Sequence, residues 1–155
     1  MRKYLLSIAL ALFSLTVFAQ SAGVAQSVPK DIFHAYLYNE EYKVYLDINL
    51  YAQDIVVPGQ EIFGKTAGYF GAIRDSRKWL ITSAKLHGKN RAEMEITNDY
   101  GSEDLSATLT YDIATGKYTL KQTGGSRLKI VVNRKWVKIP TELELTLHNR
   151  VADEW

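Results

Sequence analysis

Two short stretches of this sequence share a basic and aromatic pattern that is typical of binding sites. Arg77-Lys78-Trp79 and Arg134-Lys135-Trp136 each place two cations directly before a tryptophan, at the start of a predicted strand. Cationic side chains pair with anions, and an indole face stacks on rings or cations. The two stretches therefore indicate an anion or glycan site if they meet in space. If they do not meet, they are soluble hairpin ends, each with a packed tryptophan.

Strand counting predicts that these two tryptophans lie far apart. Counted along the chain, Trp79 opens the fifth predicted strand and Trp136 the tenth. Since neighbouring strands of a meander run in opposite directions, the two strand starts fall at opposite ends of the domain. The sequence thus favours packing roles for both tryptophans over a joint site.

The remaining candidates for chemistry are an acidic loop and three histidines. Asp99, Glu103 and Asp104 lie in one predicted turn, where carboxylates are common because they bond to their own backbone. The loop lacks the alternation of a calcium-binding helix-loop-helix, which leaves calcium an open question. The histidines show neither metal-ligand spacing nor a nucleophile motif beside them. The sequence predicts no catalytic residue, no metal site and no cofactor, hence a protein that is not an enzyme.

The N-terminus has the layout of a secretory signal peptide. Arg2 and Lys3 precede an apolar run at residues 5–18. This run is too short to span a bilayer, which takes about 20 residues. Cleavage is expected after Ala19, with Ala25 as the alternative. We therefore expect an exported protein, periplasmic or extracellular, that does not span a membrane after signal removal.

The predicted domain organisation is a signal peptide at residues 1–19, a flexible leader at 20–31, an all-β domain at 32–150 and a C-terminal tail at 151–155. Of the 19 Lys and Arg residues, two lie in the signal, which leaves 17 to balance the 17 Asp and Glu. Nucleic-acid binders usually carry a basic excess, so we expect no nucleic-acid partner. The chain has no cysteine, so packing alone must stabilise the exported fold.

Apolar residues recur with period two, which indicates β-strands. Val44, Leu46 and Ile48 share one face of a predicted strand, and the same apolar alternation returns in four later segments. Turn-forming clusters separate these segments. The pattern predicts a single antiparallel meander of about eight to ten short strands, closed as a barrel or, alternatively, folded as a β-sandwich. In outline it resembles the small up-and-down barrels of the lipocalin and avidin type.

Together with the signal peptide and the missing catalytic motifs, this architecture leads to the hypothesis of a non-enzymatic, exported barrel that holds a small, mostly apolar ligand in its interior. The predicted ligand-binding residues are Val44, Leu46, Ile48, Trp79, Met94, Leu109, Tyr111 and Tyr118. The alternative is a cell-envelope or secreted interaction or inhibitor protein that works through an external surface of aromatic residues, such as Tyr45 and Tyr51, and basic turns. An interior cavity favours the carrier, and a filled interior favours the alternative. The sequence carries no signal for an oligomeric state.

Overall fold

The structure, a computed structural model, describes residues 27–150. Within that range twelve strands follow one another: β1 (His34–Asn39), β2 (Val44–Asn49), β3 (Ile55–Val56), β4 (Lys65–Thr66), β5 (Gly68–Ala72), β6 (Asp75–His87), β7 (Arg91–Asn98), β8 (Asp104–Asp112), β9 (Lys117–Gly125), β10 (Lys129–Val132), β11 (Lys135–Lys138) and β12 (Glu142–His148). Eight of them, β1, β2, β5 to β9 and β12, form one closed barrel. Each barrel strand pairs antiparallel with the next one along the chain, and β12 returns to β1. The predicted all-β meander is confirmed, as a barrel rather than a sandwich.

Alternation along the strands decides which side chains enter the barrel. In β2, Val44, Leu46 and Ile48 belong to the barrel core and are fully buried. Leu46 lies opposite Leu37 on one neighbouring strand and Phe70 on the other, so apolar side chains meet across the wall. Because a one-residue slip would turn this whole set outward, the apolar pattern fixes the strand register.

One end of the barrel, here called the upper end, lies where β6 begins and β7 ends. The connection from β9 to β12 does not turn back directly at this end but forms the β10–β11 hairpin. Leu128, Ile130 and Ile139 of this connection are buried in the barrel core, so the hairpin closes the upper end. Asn133 and Arg134 form its two-residue turn, both with positive φ. This is the backbone of a type I′ turn, whose twist matches that of the flanking strands.

The opposite end, here called the lower end, is closed by the segment that precedes β1. Ile32 and Phe33 are buried in the core. The Tyr118 hydroxyl, on β9, donates to the Ile32 carbonyl oxygen at 2.7 Å. A segment outside the barrel wall therefore covers each end.

The predicted signal peptide, residues 1–19, lies outside the described residues, as do the first part of the predicted leader and the predicted tail at 151–155. Val28, within the predicted leader, packs against the barrel core. Between residues 27 and 150 there is no helix of the length and apolar character needed to cross a bilayer.

A second apolar cluster lies on the outside of the barrel wall. The connection between β2 and β5 carries the β3–β4 pair and a short 3-10 turn, Glu61–Phe63. Its Val57 is fully buried against tyrosines of the barrel. Tyr45 is one of these, and its ring stacks on Tyr36 with centroids 5.1 Å apart. The expectation that Tyr45 contributes to an exposed surface is therefore wrong, because this connection covers the face that alternation assigns to solvent. Tyr51 is exposed as expected.

Candidate functional site

The barrel interior holds five of the eight predicted ligand-binding residues. Val44, Leu46, Ile48, Met94 and Leu109 all belong to the core, and none has more than 2 % of its surface exposed. A void wide enough for a water molecule would expose surface on the side chains around it. These five residues are therefore packed against their neighbours. Their role in holding a ligand stays a prediction.

The three aromatic members of the predicted set lie at two different ends of the barrel. Trp79 lies at the upper end, buried at 4 % exposure. Tyr111 and Tyr118 lie together at the lower end, with ring centroids 4.9 Å apart. Burial, and to a smaller extent the nearby phenols of Tyr111 and Tyr51, raise the pKa of Tyr118 to about 12. The eight residues thus lie along the barrel interior and at its two ends.

The tryptophans of the two Arg-Lys-Trp motifs meet in one pocket at the upper end. Trp79, on β6, and Trp136, on β11, both line it, so the expectation that they lie at opposite ends is wrong. Strand direction alternates only along the barrel wall. Since β11 belongs to the inserted hairpin, its direction does not decide which end Trp136 occupies.

Hydrogen bonds from the start of β6 hold the hairpin over the upper end. The Trp79 indole N–H donates to the Lys129 carbonyl oxygen at 3.2 Å. One carboxylate oxygen of the buried Asp75 accepts from the backbone N–H of Val131 at 2.7 Å, and the other accepts from the backbone N–H of Arg77 at 3.1 Å. Hydrogen bonds to a charged acceptor are the stronger kind, so β10 is firmly positioned.

Trp136 lines the pocket, and two cations lie over its ring. The guanidinium carbon of Arg77 and the ammonium nitrogen of Lys129 are each 4.9 Å from the centroid of its ring. These distances lie within the range of cation–π attraction. Lys129 also forms an ion pair with Glu103, with 2.8 Å between Nζ and Oε1. The cations hold the indole in place while 57 % of Trp136 stays exposed.

The loop between β7 and β8 contributes the acidic side of the pocket, and Asn98 organises it. The Asn98 side-chain oxygen accepts from the backbone N–H groups of Ser102 at 2.8 Å and Glu103 at 3.3 Å. Its amide nitrogen donates to the Ser102 hydroxyl at 3.0 Å. Asp99 accepts from the backbone N–H of Lys78 through Oδ2 at 3.3 Å. These bonds fix the loop in the conformation in which Asp99 and Glu103 line the pocket.

The upper pocket has a volume of about 240 Å³ and mixes aromatic with charged groups. Its lining residues are Arg77, Trp79, Asn98, Asp99, Tyr100, Ser102, Glu103, Lys129 and Trp136. A wider cleft of about 430 Å³ lies at the lower end, beside residues 28–31, where the described chain begins. The lining of that cleft shows no ion pair or cation–π contact among the described residues. The upper pocket is the stronger candidate because of its chemistry, not its size.

The acidic and histidine side chains do not converge on a metal centre in the part of the chain that the structure describes. No group of three or more His, Asp or Glu residues there is arranged to hold a metal ion. In the acidic loop, for which the sequence leaves calcium an open question, Glu103 pairs with a lysine and Asp99 bonds to a backbone N–H. His34, His87 and His148 lie at the lower ends of their strands, away from the upper pocket.

No protein-family model, curated protein or solved structure significantly matches this chain. The upper pocket is therefore the main evidence for a function. Of its nine lining residues, only Trp79 belongs to the predicted set. The second Arg-Lys-Trp motif and the acidic loop are the sequence signals that point to most of the others. Joining them requires knowing that residues 126–141 leave the barrel wall.

Proposed function

We propose that the protein is an exported binding protein rather than an enzyme, and that its ligand occupies the upper pocket. The observation that carries this proposal is the convergence of Trp79 and Trp136 with Arg77 and Lys129 at one end of the barrel. Concave sites that combine aromatic surface with a few fixed polar groups are where small ligands usually bind. The signal-like N-terminus supports export.

An apolar ligand in the barrel interior is the weaker hypothesis. Leu46 and Leu109, at the centre of the wall, have no exposed surface. A ligand there would have to displace packed side chains, and overpacking a core costs about 1–3 kcal/mol at a single position. The upper pocket needs no such repacking, because Tyr100 and Trp136 are already exposed.

An envelope protein is the other class of partner that this surface could bind. Exposed aromatic residues such as Tyr100 and Trp136 are enriched at protein interfaces. A small molecule is favoured because the polar groups surround a concavity of about 240 Å³ instead of lying on a flat patch.

Native and denaturing mass spectrometry of the protein, purified from the exported fraction of its own host, tests this proposal. We expect a small additional mass in the native spectrum that is lost on denaturation and is missing from Trp136→Ala. Phe63→Ala is the matched control, because Phe63 is similarly exposed, at 48 %, and lies outside the pocket. It should keep the additional mass. An additional mass that survives in Trp136→Ala, or a bare chain in all three proteins, would contradict the proposed site.

A further inference from the structure

Three of the four charged side chains that line the upper pocket form ion pairs within the protein, namely Arg77, Glu103 and Lys129. The fourth, Asp99, accepts from the backbone N–H of Lys78. The Lys129 and Glu103 side chains, 2.8 Å apart, are each about 30 % exposed. Arg77 lies 3.4 Å from a carboxylate oxygen of Asp75, which is buried.

An anionic ligand would have to separate one of these pairs and leave a partly buried charge without its partner, which is costly. A cationic ligand against Trp136 would be repelled by Arg77 and Lys129, which lie 4.9 Å from the centroid of its ring. The balance of charge therefore favours a neutral ligand.

The aromatic surface of the pocket suits a rigid ring. More than half of Trp136 is exposed, and Arg77 and Lys129 fix its orientation from 4.9 Å. A ring with C–H groups on its face buries apolar area flat against an indole. A flexible chain would lose more conformational entropy for the same contact. The ligand is thus expected to contain a ring with an apolar face.

The polar groups around this surface suit hydroxyls. Asp99 uses Oδ2 for the backbone N–H of Lys78, so Oδ1 can accept from a ligand. A hydroxyl both donates and accepts. It can therefore bond to Glu103 and Lys129 together without separating their charges. Hydrogen bonds to charged groups are the stronger kind, which compensates for a ligand without charge of its own.

The volume of the pocket limits the part of the ligand that it holds to about one ring. Its volume, about 240 Å³, lies below the roughly 300–1,000 Å³ of clefts that take drug-sized molecules. We infer that the ligand is a neutral saccharide, with one pyranose ring packed on the part of the Trp136 indole that Arg77 and Lys129 leave exposed, and its hydroxyls bonded to Asp99 and to the Glu103–Lys129 pair. This inference rests on the proposed function, since it requires the ligand to occupy this pocket. A pyranose ring is rigid, carries C–H groups on its faces and carries hydroxyls around its edge.

Saturation-transfer NMR on the purified chain tests the ligand class. The probes are methyl glycopyranosides and short neutral oligosaccharides at up to about 10 mM, which detects dissociation constants in the millimolar range. Sorbitol serves as a polyol without a ring, and benzoate as an aromatic anion. We expect transfer to the ring C–H protons of at least one saccharide, and none to sorbitol or benzoate.

Three variants tie the signal to the pocket. Trp136→Ala should weaken saccharide binding by at least about tenfold, a loss of about 1.4 kcal/mol. Asp99→Asn should weaken it less, because the amide keeps an acceptor oxygen for the Lys78 backbone N–H. Phe63→Ala should bind as the unaltered protein does. Unchanged circular dichroism spectra of the variants will show that the fold is retained.

Two kinds of failure can be told apart. If benzoate binds in a manner that depends on Trp136 and no saccharide does, the ligand class is wrong and the proposed site stands. The same holds if the mass acquired in the host depends on Trp136 but is not a saccharide. If no probe binds and the host-purified protein carries no additional mass, both the ligand class and the proposed function are contradicted.

Discussion

The two ends of the barrel are closed in parallel ways. Each is covered by a segment outside the barrel wall, and at each end a buried aromatic side chain of the wall donates a hydrogen bond to a backbone carbonyl of that segment. At the upper end the Trp79 indole donates to the Lys129 carbonyl oxygen at 3.2 Å. At the lower end the Tyr118 hydroxyl donates to the Ile32 carbonyl oxygen at 2.7 Å.

The surroundings of the two donors differ. Tyr118 packs against Tyr111 in the apolar core, and burial raises its pKa to about 12. Near Trp79 lie two ion pairs, the exposed Trp136 and the loop organised by Asn98. At the lower end, apolar packing and hydrogen bonds to the backbone groups of Ile32 and Phe33 hold the covering segment in place. The ion pairs and the exposed indole near Trp79 are the features on which the proposed binding site rests.

Replacing each tryptophan of the upper pocket by alanine should give the largest change in stability and the largest difference between two variants. Trp79→Ala removes a buried side chain, so we expect the free energy of unfolding to fall by about 3–5 kcal/mol. Trp136→Ala removes an exposed one and should cost less than about 1 kcal/mol, the value of its cation–π contacts included. Urea unfolding followed by circular dichroism measures both. Equal losses would contradict the distinction between a structural Trp79 and a ligand-contacting Trp136.

Removing the Tyr118 hydroxyl at the lower end should have the next largest effect on stability. Tyr118→Phe leaves the Ile32 carbonyl without its partner in the core, which should lower the free energy of unfolding by about 1–3 kcal/mol. Tyr100→Phe is the matched control, because it removes the same hydroxyl from an exposed position. Indistinguishable urea midpoints for the two variants would show that the hydroxyl does not secure the lower end.

The titration of Tyr118, at the lower end, makes the stability of the fold depend on pH. Burial raises the pKa of Tyr118 from the ordinary value of 10.0 to about 12, so the fold favours the neutral phenol. The contribution to stability is fully present below about pH 10. It is lost as the pH rises towards about 12, because the unfolded chain releases this proton first. Urea unfolding across this window should show that the free energy of unfolding falls more steeply with pH for the unaltered protein than for Tyr118→Phe. Parallel curves would contradict the assignment.

The smallest expected change in stability concerns the turn of the β10–β11 hairpin. Arg134 has a φ of 63°, a left-handed conformation that costs a residue with a side chain about 1–2 kcal/mol. Arg134→Gly relieves this strain but makes the unfolded chain more flexible, so we expect a net gain of about 0.5 kcal/mol. Lys135→Gly, in the adjacent strand, should instead lose about 0.5–1 kcal/mol. Thermal unfolding of both variants measures the difference, and a loss in both would contradict a strained turn.

The barrel was predictable from the sequence because its wall depends on local alternation. Period two in residues such as Val44, Leu46 and Ile48 identifies one buried face for each strand, and antiparallel neighbours follow from short turns. The same rule gives the wrong surroundings for two sets of residues. Leu128 and Ile130 alternate like wall residues but belong to the hairpin that covers the upper end, and Tyr45 is on the outer face yet buried. Alternation predicts which face of a strand is buried, but it does not predict which segment of the chain covers that face.

The pocket was only half predictable for a related reason. Both Arg-Lys-Trp motifs and the acidic loop are visible in the sequence, each as a local pattern. Their meeting depends on contacts between distant parts of the chain, such as the bond from Trp79 to Lys129, which are 50 residues apart. No local pattern encodes where an inserted hairpin packs.

Amide chemical-shift mapping with the molecule that denaturation releases from the host-purified protein tests most directly which region binds the ligand. We predict that the largest shifts on titration fall in residues 98–103 and 129–136, together with the indole N–H of Trp136. Largest shifts in residues 44–48, inside the barrel, or in residues 28–33, at the lower end, would contradict the assignment of the upper pocket as the binding site.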